Sequence, residues 1–454
     1  MTSTPSEAQH LSAWLSALDT RSLPPPVAET AARLLIDVAG LCLAARQTDY
    51  VRAVLASLDF SGPCAAIGHS LRCSGVDAAL LNGTAAHGED YDDTFEGGPV
   101  HAGAVIVPAV LAACEREARG GRDFLRGLVA GAELMCRLSL VAPMAIHRAG
   151  FHPTAVIGTL AAAGAVSAAL GLTAEQSVSA FGIAGSQASG IIEYLAEGTW
   201  TKRMHAGWAA QSGLRAALLA RGGFLGPRTV LEGRHGVFSA FAPSVRPDFS
   251  PLTDELGTRW LMETIAFKPY PCGTMTQPYI DCAIALGESG VSPDAIAGIV
   301  CEVAEGTVHR LWEPLASKQR PPNAYAGKFS TPYCMAVAFF DHRVGFAQFA
   351  PDRLTDPAVL GLAGKIRYVI DPDNDYPRNF TGHLRATLKD GSVREIRRPH
   401  MRGGAHAPLS SAEIREKFLA NALYGGLSRE DAEAMLVTLD RAFESEDVST
   451  IFTA

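Results

Sequence analysis

Residues 154–172 read TAVIGTLAAAGAVSAALGL, nineteen positions without a single charge. A run of that length suits either a membrane span or the innermost helix of a large helical core. Composition separates the two. Alanine and glycine dominate where leucine and isoleucine would be needed, so transfer into lipid would gain little. Gly158 and Gly164 instead let neighbouring helices approach closely. The stretch is therefore read as the central helix of a soluble bundle, with no membrane partner.

The rest of the chain agrees with a large buried core. Of its 454 residues, 48% are hydrophobic and 19% charged, which excludes global disorder and leaves room for two or three domains. The net charge is −8 and no long basic run occurs, so a nucleic-acid partner is not expected. The start, MTSTPSEAQHLSAW, lacks the charged-then-apolar form of a signal peptide, and a cytoplasmic protein is expected. Nine scattered cysteines without a CxxC pair support neither a disulfide framework nor a zinc or iron–sulfur site. They read as buried small hydrophobes.

Helical periodicity runs through the first 265 residues or so. Val27, Ala31, Leu34, Leu35, Val38, Leu41 and Cys42 recur at helical spacing behind Pro24–Pro26. Thr173–Gln176 has the form of a capping box, and residues 206–221 form an Ala- and Leu-rich helix that stops at Gly222-Gly223. After about Phe267 the texture changes. Residues 299–303 and 366–370 are short and β-prone, while Leu384, Ala386 and Leu388 alternate with polar neighbours before a Lys389-Asp-Gly-Ser turn and a return strand at 393–396. Helix starts reappear at Ser410 and Ser428. The expected fold is mainly α: a helical domain over 1–267, a smaller α+β domain over 268–400, and C-terminal helices over 401–454 that return to the helical domain. No dinucleotide fingerprint or phosphate loop is present.

Four polar islands interrupt this apolar background. The first, 84-TAAHGEDYDDTFEGGPVHAG-103, gathers His87, Glu89, Asp90, Asp92, Asp93, Thr94, Glu96 and His101 within fifteen residues. If the helix continued through Thr94, then His87, Asp90 and Thr94 would share a face and Asp92 and Asp93 would point elsewhere. Such a knot reads equally as a metal cage of His87, Asp90 and His101, as acid/base groups, or as a solvated loop. The second, 147-HRAGFHPTAV-156, sets His152 directly before the uncharged helix. In the third, 198-GTWTKRMHAG-207, Lys202, Arg203 and His205 precede a helix, where cations oppose the macrodipole and call for an anion. The fourth, 266-AFKPYPCGTMTQ-277, puts Lys268 beside two prolines at the domain boundary. The basic run 394-REIRRPHMR-402 reads as solvated surface, although arginine forks suit carboxylates.

These islands, with 329-FSTPYC-334, resemble the MmgE/PrpD family in order along nearly the whole chain. The resemblance implies a helical domain with a smaller α+β lid domain, usually in a homodimer, acting without a cofactor on di- and tricarboxylates. Family reactions include 2-methylcitrate dehydration, cis-aconitate decarboxylation and iminodisuccinate epimerisation. It also implies an active site of Asp90, Thr94, His101, His152, Lys202, Lys268 and Tyr333. On this reading Lys202 and Lys268 hold substrate carboxylates, and Thr94 donates a hydrogen bond. His101 and His152 move protons, oriented by a carboxylate such as Asp90, and Tyr333 donates from the lid side. No metal is expected, because no ligand spacing requires one.

The chain departs from the pattern at Gly273 and Gln277, where relatives carry histidines, and its 95–100 loop is short and glycine-rich. His147 and His205 are the nearest substitutes along the chain. The resulting expectation is a hydro-lyase that abstracts a proton next to a carboxylate of a small hydroxy acid. Epimerisation, decarboxylation and carboxylate binding without turnover are the alternatives.

Overall fold

The computed structural model describes residues 4–452, which divide into two compact units, 4–265 with 410–452 and 266–409.

The first unit is built of helices. Its centre is the uncharged helix Pro153–Leu170, every residue of which is buried. Pro153 sits in the first turn, where its missing N–H is no loss, and Gly171 ends the helix in a left-handed conformation. Helices Gly103–Arg116, Gly121–Leu140 and Thr201–Arg221 pack around it. Thus a helix apolar on all sides is a core helix here rather than a membrane span. At Gly164 an added Cβ would lie 2.4 Å from Leu134, so that contact requires glycine.

The crossing of Gly75–His87 with Thr201–Arg221 is closer still. A Cβ on Gly83 would meet the Gly207 Cα at 2.5 Å, and one on Gly207 would meet the Leu80 carbonyl at 2.1 Å. Two glycines facing each other let the backbones touch, and so the end of one helix at His87 lies beside the start of the other at Lys202. A buried ion pair also braces this unit. Arg137 donates to Glu133 at 2.6 Å and to the carbonyls of Pro251, Asp254 and Arg259 at 2.7–2.8 Å, so all three guanidinium nitrogens donate.

The second unit carries one four-stranded sheet in the order Ile366–Ile370, Ile296–Val303, Gly382–Leu388, Val393–Arg398. The first pair is parallel, Ile299 facing Ile366, and the other two are antiparallel. The hairpin turns at Lys389–Ser392, where Gly391 has φ +86°. Leu384, Ala386 and Leu388 face inward against helices Gln277–Glu288 and Thr331–Asp341, whereas Arg385 and Thr387 face water.

The chain then returns to the first unit through helices Ser411–Tyr424 and Arg429–Asp440. Ser410 and Glu413 form a capping box, and the Ser428 hydroxyl accepts from the Asp431 amide. All nine cysteines are buried thiols.

Candidate functional site

The acidic knot is not a continuation of its helix. Helix Gly75–His87 stops at His87, and Asp90 adopts φ +55°, in the left-handed region. That turn cancels the shared face expected for His87, Asp90 and Thr94, and it sends Asp92 and Asp93 inward. Asp90, Asp92, Asp93 and Thr94 are all buried, which removes the solvated-loop reading.

Each carboxylate has a distinct task. Asp92 Oδ2 lies 2.7 Å from His87 Nδ1 and 3.4 Å from His101 Nδ1. Asp93 accepts the amides of Ala102 and Gly103 at 2.9 and 2.8 Å, capping the helix that follows. Burial, then Asp92 and Asp37, push the Asp93 carboxyl up to about 8 despite those two donors. Asp90 pairs with Lys202, both nearly excluded from solvent. The helix bearing Lys202 begins at Thr201, so Lys202 stands in its first turn rather than ahead of it. The anion that this cation called for is Asp90. It follows that Asp90 orients Lys202, and the carboxylate beside His101 is Asp92, while Asp93 meets that ring through its backbone carbonyl.

Histidines converge on the same place. His152 caps the central helix without a side-chain cap bond, leaving its ring available to the cluster. Its ring stacks on His87 at 5.5 Å and stands 6.4 Å from His101. His205, from the second turn of the Lys202 helix, brings Nδ1 to 3.3 Å from His152 Nδ1. Burial, reinforced by the neighbouring His87 ring and the Lys202 ammonium, holds His152 well below the ordinary imidazole range and His205 down to about 4. Both rings are therefore neutral near pH 7. His101 Nδ1 lies 2.6 Å from the Asp93 carbonyl, which can only accept, so that nitrogen carries the proton and Nε2 presents a lone pair. With His101 only partly buried, it is the ring of this group open to a ligand.

Among the described residues, His87, Asp92 and His101 form the one group whose ligand atoms lie close enough together to hold a metal, within 4.8 Å of one another. The hydrogen bonding does not favour that use. His87 Nδ1 faces Asp92 at hydrogen-bond distance, and His101 Nδ1 is committed as a donor to a carbonyl. Ligation through those Nδ1 atoms at ~2.0–2.2 Å would require both bonds to break. In the structure Asp92 lies against both imidazoles.

Two supporting residues escaped the sequence reading. Lys417 places its ammonium 2.7 Å from Asp37 Oδ1, donates to the Tyr91 carbonyl at 2.7 Å and sits 3.9 Å above the Tyr91 ring. Asp37 had a signal, since it is the lone charge in the apolar run 34-LLIDVAGLCLAA-45. Lys417 had none, because its partners are more than 320 positions away.

The remaining expected site residues belong to the second unit. Lys268 is buried there, in a segment fixed by the Phe267 amide bond to Gly403 at 2.9 Å. Tyr333 lies in that unit's apolar core, and its hydroxyl donates to the Gln348 carbonyl at 2.6 Å while burial raises its pKa. A phenol so placed is a packing residue, and the proton-donor role expected for it has no support. Gln277 is structural too: its amide nitrogen donates to the Tyr270 and Cys272 carbonyls at 2.9 and 3.2 Å. Gly273 faces Leu311 and Phe329, an apolar setting in which nothing replaces an imidazole. Of the two substitutes considered, His205 joins the cluster, whereas His147 lies half-buried on the short helix Ala145–Arg148.

Comparison with known proteins accounts for the co-occurrence of these features. The MmgE/PrpD N-terminal domain model matches residues 9–250, and the MmgE/PrpD C-terminal domain model matches residues 270–441. An Aspergillus oryzae protein named cis-aconitate decarboxylase-like protein oryM is 29% identical over 469 residues, covering 96% of this chain and 95% of its own. The Aspergillus terreus cis-aconitate decarboxylase is 28% identical, covering 94% and 92%. The mouse cis-aconitate decarboxylase is 30% identical, covering 82% and 77%. With both domain models matched across most of its length, the chain belongs to the MmgE/PrpD family.

Proposed function

We propose that the protein is a lyase acting on a small di- or tricarboxylate, of hydro-lyase type, with proton transfer carried by its own side chains. One observation carries this reading: a partly open imidazole, His101, has its tautomer fixed by the Asp93 carbonyl and lies beside Asp92, in a buried group that also holds Lys202.

The chemistry follows from that geometry. A C–H next to a carboxylate is a weak acid, and removing its proton leaves charge on the carboxylate oxygens. His101 Nε2 takes the proton, and Asp92 stabilises the imidazolium that forms. Lys202, held by Asp90, and the Thr94 hydroxyl face the developing charge. The neighbouring carbon–oxygen bond breaks, the departing hydroxyl receives a proton from the imidazole group, and water leaves as the double bond forms.

Decarboxylation is the second reading, favoured by the relatives' names. There a carbon–carbon bond to carboxylate breaks, CO2 leaves, and a protonated His101 returns a proton to carbon. Incubation in deuterated buffer with 2-methylcitrate, citrate, cis-aconitate and malate, followed by NMR, separates the readings. Loss of water with deuterium entering next to a carboxylate supports the hydro-lyase. CO2 release from cis-aconitate supports the decarboxylase, and inversion without an alkene points to an epimerase. If no substrate changes relative to a His101→Ala control, the lyase reading fails for that set.

A further inference from the structure

The basic run near residue 400 is part of a pocket. Arg398 ends the last strand of the second unit's sheet, and His400, Arg402 and His406 follow it in the loop. Together with His342 and Arg343, just past helix Thr331–Asp341, they line a cavity of about 690 Å³. That is within the ~300–1,000 Å³ range of small-molecule sites. Ile284 and Ala285, from helix Gln277–Glu288, add an apolar surface, and Lys268 is not among the lining residues.

Charge decides what such a pocket would hold. Three guanidiniums stay charged at any physiological pH, and the carboxylates lining the same space are Asp281 and Glu288. Asp281 accepts from the Tyr270 hydroxyl at 2.6 Å, and Arg402 donates to that same oxygen at 3.2 Å. Burial raises the Asp281 pKa, while Tyr270, Arg402 and Arg398 pull it back down, so three guanidiniums face two carboxylates. On a chain of net charge −8, this is a local excess of positive charge in a concave site. The guanidinium fork matches the paired oxygens of carboxylate and phosphate groups.

We propose that this pocket of the second unit is a binding site for a compact small molecule carrying two or more carboxylate or phosphate groups. It is a site additional to the histidine cluster, and its occupancy is independent of whether that cluster turns over a substrate.

Titration calorimetry on the full chain tests this, with citrate in one arm and inorganic pyrophosphate in the other. Arg343 is exposed and Arg398 half-buried, so Arg343→Glu and Arg398→Gln give two independent variants. The expected result is binding of at least one anion that each substitution weakens about tenfold, as loss of a charged fork implies. Turnover of any substrate at the histidine cluster should be unchanged. Citrate binding alone assigns a carboxylate ligand, and pyrophosphate binding alone a phosphate. If neither anion binds, or if binding is indifferent to both substitutions while circular dichroism shows folded variants, the proposal is overturned.

Discussion

Lys417 and Asp37 lie 2.7 Å apart, joining a C-terminal helix to the helix Pro25–Ala45 beneath the acidic loop. Both are buried, and the same ammonium holds the Tyr91 carbonyl. Removing one member of a buried pair leaves the other charge uncompensated, at a cost of about 3–5 kcal/mol. Lys417→Met is therefore expected to lose that much stability in urea titration, and the double change with Asp37→Asn to recover most of it. Equal losses in the single and double variants would show that the pair is not coupled.

In the proposed reaction Asp92 positions the imidazoles and takes no part in bond making or breaking. Asp92→Asn keeps the shape but removes the charge that orients His87 and supports a His101 imidazolium. Loss of ~10²-fold or more in kcat is expected, as for supported general bases elsewhere, with KM little altered and the melting temperature near that of wild type. A purely structural role would instead lower stability and leave kcat per folded molecule intact.

His205 and Asp93 should contribute opposite slopes to the dependence of stability on pH. His205 is depressed to about 4, so below ~6.5 the unfolded chain binds a proton that the folded chain refuses, and stability drops as pH falls through that window. Asp93 is raised to about 8, so the folded chain keeps a proton that the unfolded chain releases above ~3.9, and its contribution weakens as pH rises towards 8. Urea titrations across pH should show His205→Asn removing the loss of stability as pH falls from ~6.5 towards 4, and Asp93→Asn removing the loss as pH rises from ~3.9 towards 8. Unchanged slopes in both variants would refute this assignment.

Self-association is expected through the Lys202 helix. Trp208 and Leu219 are 40% and 37% exposed and stand three helical turns apart, hence on one face. Large exposed apolar side chains on a shared face mark an interaction surface. Light scattering should find a dimer, which Trp208→Glu converts to monomer. A monomeric wild-type chain would remove the homodimer from consideration.

The sequence by itself determined the mainly helical character, the small sheet with its hairpin, and the buried uncharged helix, because these rest on periodicity and turn chemistry that act locally. Polar islands in apolar surroundings contained His101, His152, Asp90 and Lys202, and the family resemblance singled them out. Their partnerships were decided only by tertiary structure. The left-handed turn at Asp90 redirected Asp92 and Asp93, the contact between Gly83 and Gly207 brought Lys202 beside the knot, and Lys417 reached Asp37 across the chain. Tyr333 was expected at the site from the family resemblance, and the structure places its hydroxyl on the Gln348 carbonyl within the second unit's core. Charge pairing and burial depend on which distant segments meet, and a one-dimensional pattern of residue types does not contain that information.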